Sequence, residues 1–143
     1  MKKVMVLLFV LLTAVVLAAC GNSSEGTATA AEEKPEVNDL AGVVELFQEA
    51  GLEIGEQSGK AYEMIGAVDG FSVEVNGELI ELYQFDLDTA SDVTKTNVEN
   101  ASKTGEFEMM GELFPMVMNG EFGIFNHEEH PDKDSILEIF KSF

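Results

Sequence analysis

The 143-residue sequence holds one cysteine, no tryptophan and no arginine. Each absence removes a class of chemistry. A single cysteine cannot form an intrachain disulfide, so packing alone must hold the fold. Without arginine there is no planar, bidentate partner for a phosphate or carboxylate. Eight lysines against 27 acids leave a formal charge of −19. That balance argues against nucleic acid as a partner, because phosphate contacts need clustered Lys or Arg. The lack of tryptophan takes away the best sugar-stacking side chain. No G-x-S-x-G elbow presents a nucleophilic serine. Acid pairs are so numerous that none is singled out as a glycosidase-like dyad. The expectation is a non-enzyme.

What is present begins at the amino terminus. Lys2 and Lys3 precede an uncharged run from Val4 to Ala19, at the short end for a membrane-spanning helix. A basic start, a short apolar middle and small residues before a cut point read as a secretory signal. The closing residues Leu17-Ala18-Ala19-Cys20 resemble the lipobox of bacterial lipoproteins. The resemblance implies a diacylglycerol on the Cys20 sulfur, with signal-peptidase cleavage just before it. The Cys20-Gly21-Asn22 start is similar to that of many lipoproteins of Gram-positive bacteria, which implies the outer face of the plasma membrane. Stable anchoring takes two lipid signals at about 0.8 kcal/mol per buried CH₂, and a diacylglycerol supplies two chains. The membrane is thus expected as a partner through Cys20, with the chain tethered and not spanning.

Three segments follow from this: a signal peptide over 1–19, a lipidated cysteine and spacer over 20–36, and one acidic domain over 37–143. Residues 21–36, GNSSEGTATAAEEKPE, carry no large apolar side chain and cannot bury enough surface to order themselves. As a flexible coil they span about 20–24 Å. Loss of Lys2 and Lys3 makes the mature charge −21. Anionic lipid therefore repels the domain within a Debye length of about 8 Å, and the tether holds it at the membrane.

Beyond the spacer the hydrophobic pattern turns periodic. Leu40, Val43, Val44 and Phe47 form one helical face, with Asn38 or Asp39 as cap and Gly51 as stop. A shorter helix is expected after Ser58, carrying Tyr62 and Ile65 and ending at Gly66. In GFSVEVNGELIELYQFD the pair Asn76-Gly77 favours a type I′ turn, setting Phe71 against Leu82 and Val73 against Ile80. LFPMVMNGEFGIF repeats the signal with Asn119-Gly120 at its turn, Val117 facing Phe122 and Phe114 facing Phe125. Pro115 puts its strand at an edge or beside a bulge. Helical segments follow each hairpin. The first is capped near Thr89-Ala90-Ser91-Asp92, with a thin face of Val93, Asn97 and Ala101 before Gly105. The second has Pro131 at its first position, Asp132 and Asp134 in its first turn, and a stripe of Ile136, Ile139, Phe140 and Phe143. An extra strand is expected at 106–110. The fold class is α+β, an antiparallel sheet of four to five strands with helices on one face. The ββα–ββα order resembles the tandem arrangement of β-lactamase-inhibitor-like domains. The last 30 or so residues also resemble small, uncharacterised lipoproteins of Gram-positive bacteria that end in a hairpin, a His-Pro-Asp-Lys turn and a helix. That likeness implies no activity.

NHEEHPDKD holds the only two histidines. His127 and His130, with Glu128, Glu129 and Asp132, are a candidate divalent-metal set. The plainer account is a polar turn feeding a capped helix, since H-x-x-H here lies in a loop before a proline. Asp86, Asp88 and Asp92 match positions 1, 3 and 7 of a calcium loop but lack its glycine and its bidentate glutamate. Met109, Met110, Met116 and Met118 offer thioethers to a soft metal, but Met116 and Met118, two apart on a strand, share one face and read more simply as core filler. The expected function is a membrane-anchored, extracytoplasmic lipoprotein that binds a protein or envelope partner at the cell surface. The alternative is a divalent-cation-binding lipoprotein using the His127/His130 loop.

Overall fold

The computed structural model describes residues 35–143, which fall in one compact unit. Cys20 and the signal peptide lie outside the described residues, as does all of the spacer but Pro35 and Glu36. No helix among the described residues is long and apolar enough to cross a membrane.

Helix α1, Leu40–Glu49, buries Leu40, Val43, Val44 and Phe47. Its start is held by the Asp39 carboxylate, which accepts from the Gly42 N–H at 2.9 Å. Its end is a Schellman turn: Gly51, at φ +87, donates to Gln48, and Leu52 N–H donates to the Phe47 carbonyl, satisfying carbonyls that the last turn leaves open. Strands β1 (Ile54–Gly59), β2 (Asp69–Val75) and β3 (Glu78–Gln84) follow, with a 3₁₀ turn, Tyr62–Ile65, between the first two. Then come α2 (Asp92–Thr104), β4 (Glu106–Met109), β5 (Glu112–Pro115), β6 (Val117–Asn119), β7 (Phe122–Phe125) and α3 (Lys133–Phe140). Five strands make one antiparallel sheet in the order β1-β2-β3-β7-β6, and β4 and β5 form a separate two-stranded ribbon. The class is α+β.

The first hairpin has the expected register, Phe71 opposite Leu82 and Val73 opposite Ile80. Asn76 and Gly77 sit at φ +48 and +89, the positive values that a type I′ turn demands. The second hairpin differs. Its turn is Gly120-Glu121, so Asn119 pairs with Phe122 and Val117 with Ile124. Partners move by two positions, which keeps every side chain on its expected face. Asn119 is drawn out of the turn because its Nδ2 donates to the carbonyls of Phe140 and Phe143, both at 2.9 Å. It thereby closes the C-terminal end of α3. Pro115 ends the pairing with β4, and β6 becomes the sheet's edge. Phe114 therefore pairs with Phe107 on the ribbon and meets Phe125 only through its ring, at 6.3 Å.

The helices do not share one face. Leu82, Val73, Ile80, Phe122 and Ile124 point toward α1 and α3, where Phe47, Ile136 and Phe140 complete a first core. Tyr83, Phe85 and Phe125 point the other way, toward α2 and the ribbon, where Val98, Ala101, Phe107 and Met116 make a second. Strand β3 carries Ile80 and Leu82 on one side and Tyr83 on the other, with Phe85 just beyond its end, so each face needs a cover. Helix α2 also turns differently from expectation: Thr94, Val98 and Ala101 face inward while Val93 is 70% exposed. Asn97 lies off that buried row and donates to the Glu108 carbonyl at 2.9 Å. β1 is the strand with no hydrophobic alternation. It forms because its backbone pairs with β2, a case of neighbours overriding propensity. At α3, Asp132 takes the position before the helix and Pro131 precedes it.

Asn119→Ala is expected to cost about 1–2 kcal/mol, two hydrogen bonds to partly buried carbonyls, with urea unfolding as the measurement. An unchanged midpoint would show that the α3 end closes without it.

Candidate functional site

The tip of the first hairpin organises the far end of the sheet. Asn76 exchanges backbone and side-chain bonds with Glu53: its N–H donates to the Glu53 carbonyl and its Oδ1 accepts from the Glu53 N–H, both at 2.7 Å. Its Nδ2 donates to Asp132 Oδ2 at 2.8 Å. One residue earlier, the Val75 carbonyl lies 2.9 Å from His130 Nε2. His130 Nδ1 accepts from the Asp132 N–H at 3.0 Å. An acceptor at Nδ1 and a carbonyl at Nε2 define the neutral Nε2–H tautomer. The loop 126–132 is thus pinned to the hairpin tip through both sides of one buried ring.

This geometry places the sequence's candidate metal set. His127 and His130 are both buried, yet they do different work. Both nitrogens of His130 are committed to the backbone, leaving no lone pair for a cation. His127 is bonded to the Ile124 backbone and its Nδ1 is buried without a hydrogen-bond partner. Glu128 and Glu129 point outward to solvent, and Asp132 is tied to Asn76. Among the described residues no group of three or more His, Cys, Asp or Glu side chains could hold a metal ion. Of the calcium-like acids, Asp86 is likewise spent locally. Asp86 accepts from the Asp88 and Thr89 N–H groups and from the Thr89 hydroxyl, and the Thr89 hydroxyl chiefly lowers its pKa. Met116 is fully buried and Met118 packs against the same core. A β-carbon on Gly123 would lie 3.0 and 3.1 Å from their two sulfurs, so the missing side chain is the space these thioethers fill.

What the loop does build is a cleft of about 400 Å³. Its walls come from three separate stretches. Leu79 and Glu78 stand at the start of β3, Phe114 and Pro115 on β5, and Phe125 with Asn126, Glu128, Glu129 and His130 at the end of β7 and beyond. Leu79 is 58% exposed, the outward residue of a strand whose neighbour Ile80 is fully buried. Asn126 holds φ +56, a left-handed conformation that asparagine tolerates better than most residues. Its Nδ2 donates to Glu81 Oε1 at 3.1 Å. Glu81 also takes Lys60 at 2.8 Å and the Tyr83 hydroxyl at 2.7 Å. Burial first, and this carboxylate second, raise the Tyr83 pKa above its ordinary value, so the phenol stays a donor.

Sequence reading had pointed to Glu128, Glu129 and His130 in this loop, for a different chemistry. It missed Glu78, Leu79, Phe114, Phe125 and Asn126 as a site. One signal was available: Leu79 is an apolar residue out of phase with Ile80 and Leu82, on the face opposite their core.

Two outcomes are expected. His130→Leu strands the Val75 carbonyl and the Asp132 N–H, at a cost of about 2–4 kcal/mol in urea unfolding. The second concerns pH. Burial, ahead of the opposing pull of Glu128, lowers the His127 pKa below its ordinary 6.5. The unfolded chain then binds a proton that the folded ring resists, so stability is full above about pH 6.5 and declines as pH falls below it. His127→Gln should flatten that decline between about pH 7 and 5.5, above the range where carboxylates dominate. A decline of the same slope in the variant would assign it elsewhere.

Set against protein-family models, curated proteins and solved structures, the chain matches none.

Proposed function

We propose that this chain is a lipid-anchored, extracytoplasmic lipoprotein without enzymatic activity, which binds a protein or cell-envelope partner through the cleft between β3, β5 and the 126–130 loop. The observation that carries the binding half of this reading is the make-up of the cleft. Four apolar residues, Leu79, Phe114, Pro115 and Phe125, stand beside five polar ones, whose side chains are carboxylates, an amide and a histidine with both nitrogens already bonded. No hydroxyl, thiol or lysine lines it. A concave site that sets apolar side chains beside a few convergent polar groups is a form binding sites take. Covalent catalysis would require a nucleophile with an adjacent base, and the cleft offers no hydroxyl, thiol or amine, only exposed carboxylates and a histidine bonded at both nitrogens.

The anchoring half rests on Leu17-Ala18-Ala19-Cys20 and on the absence of large apolar side chains from residues 21–36. A domain tethered through a lipid and a coil of about 20–24 Å meets partners in a thin layer above the headgroups. There an effective concentration in the millimolar range replaces a high intrinsic affinity. A shallow cleft suits that regime.

Labelled fatty acid should enter the wild-type protein and not Cys20→Ser, whose signal peptide should also stay uncleaved. Label in the variant, or a mature amino terminus other than Cys20, would remove the anchor. For the partner, a photocrosslinking residue at Leu79 on intact cells should yield a discrete adduct, and the same group at Glu45 on α1 should not. Equal adducts from both positions would mean that the cleft is not the contact.

A further inference from the structure

We infer that the occupant of this cleft is a cationic protein segment, one Lys or Arg beside a large apolar side chain. The inference rests on the binding reading given above and names the chemistry of its partner. It follows from which atoms remain uncommitted. His130 has given Nε2 to Val75 and Nδ1 to Asp132. Asn126 has turned one N–H of its Nδ2 to Glu81, which leaves its carbonyl oxygen and one further N–H for a ligand. The other polar side chains of the lining are Glu78, Glu128 and Glu129, all exposed. Apart from that one N–H, every side-chain group still available is an acceptor. A ligand must therefore bring donors, and three carboxylates call for donors that carry charge.

No cation among the described residues fills that role. No lysine lines the cleft, and Lys60, the cation nearest in the network, is paired with Glu81 at 2.8 Å. The wider field acts in the same direction. With 27 acids against eight lysines, the surface draws cations inward and repels anions, and a concave site focuses that field. A bare metal ion is a poor occupant, since no group of ligands among the described residues could hold one. Leu79, Phe114, Pro115 and Phe125 require the rest of the occupant to be apolar. At about 400 Å³ the space suits one large side chain with its charged neighbour, at the small end of ligand pockets. A lysine or arginine stem can also lie along the Leu79 and Phe114 surface while its head reaches a carboxylate.

The test uses the full-length lipoprotein in detergent micelles and three fluorescent, end-blocked hexapeptides. One alternates Lys with Leu and Phe, one replaces each Lys by Glu, and one is all Lys. Anisotropy should show binding of the first only. Glu128→Gln with Glu129→Gln should weaken it about tenfold, which equals about 1.4 kcal/mol. Glu45→Gln with Glu49→Gln, an equal charge loss on α1, should change it less than about twofold, the size of a screened long-range effect. Leu79→Ser should weaken the first peptide while leaving the weak, salt-sensitive adherence of the all-Lys peptide unchanged. Unchanged melting temperatures keep these variants comparable. If the all-Lys peptide binds as tightly as the first, or if the α1 pair weakens binding equally, general electrostatics explain it and the inference is overturned. If the Glu-containing peptide binds and the Lys-containing one does not, the cationic class is wrong while the cleft remains a binding site. If no peptide binds and the Leu79 crosslinker captures nothing on cells, the binding reading falls too.

Discussion

The hydrogen bonds of Asn76 are the constraint from which the arrangement of this domain follows. A turn residue ordinarily serves its own hairpin. Here the backbone of Asn76 holds positive φ for the type I′ turn, while its N–H, Oδ1 and Nδ2 fasten Glu53 and Asp132. Together with the His130 contact to Val75, these bonds join three parts of the chain at one end of the sheet: the approach to β1, the β2–β3 tip and the loop before α3. Each bond alone is worth about 1 kcal/mol. Their effect on geometry is larger than their energy, because they decide where Glu128 and Glu129 emerge.

The second organising feature is that β3 and β7 bury apolar side chains on both faces. A sheet with one dry side needs one layer of helices. A sheet with Ile80 and Leu82 on one side and Tyr83 and Phe85 on the other needs two. Helices α1 and α3 cover the first, and α2 with the β4–β5 ribbon covers the second. The cleft arises where the second cover stops. Leu79 lies on the same face as Tyr83 but past the edge of that layer, and β5 leans over it with Phe114 and Pro115. Truncating a core ring such as Phe107 or Phe140, each about 3–5 kcal/mol, would therefore disturb one layer more than the other.

Charge and cleft belong to one physical scheme. The protein has few cations, and two of those in the described residues form ion pairs, Lys60 with Glu81 and Lys103 with Glu99. The remaining excess of acid is left facing water, where it keeps the domain soluble and repels both anionic lipid and like-charged copies.

Much of this was legible in the linear sequence, and the division has a physical cause. Local chemistry spoke clearly. The apolar face of α1 and its glycine stop, the Asn76-Gly77 turn with its register, the edge position beside Pro115 and the α+β class all follow from interactions within about ten residues. The signals that misled were those in which a side chain had a distant use. Asn119 looks like a turn residue, but the end of α3 claims its amide. His127 and His130 look like ligands, but burial strips one of solvent and the backbone occupies the other. β1 has no pattern at all and exists through its neighbour. Sequence alone determined the elements and most of their faces, because propensity, capping and turn geometry are short-range. Only the tertiary structure decided that α2 lies opposite the other helices, that His130 bonds the backbone through both ring nitrogens, and that Leu79 meets Phe114 and Glu128 at one cleft. Those outcomes depend on which distant groups compete for the same donor, acceptor or surface, and a linear pattern does not encode that competition.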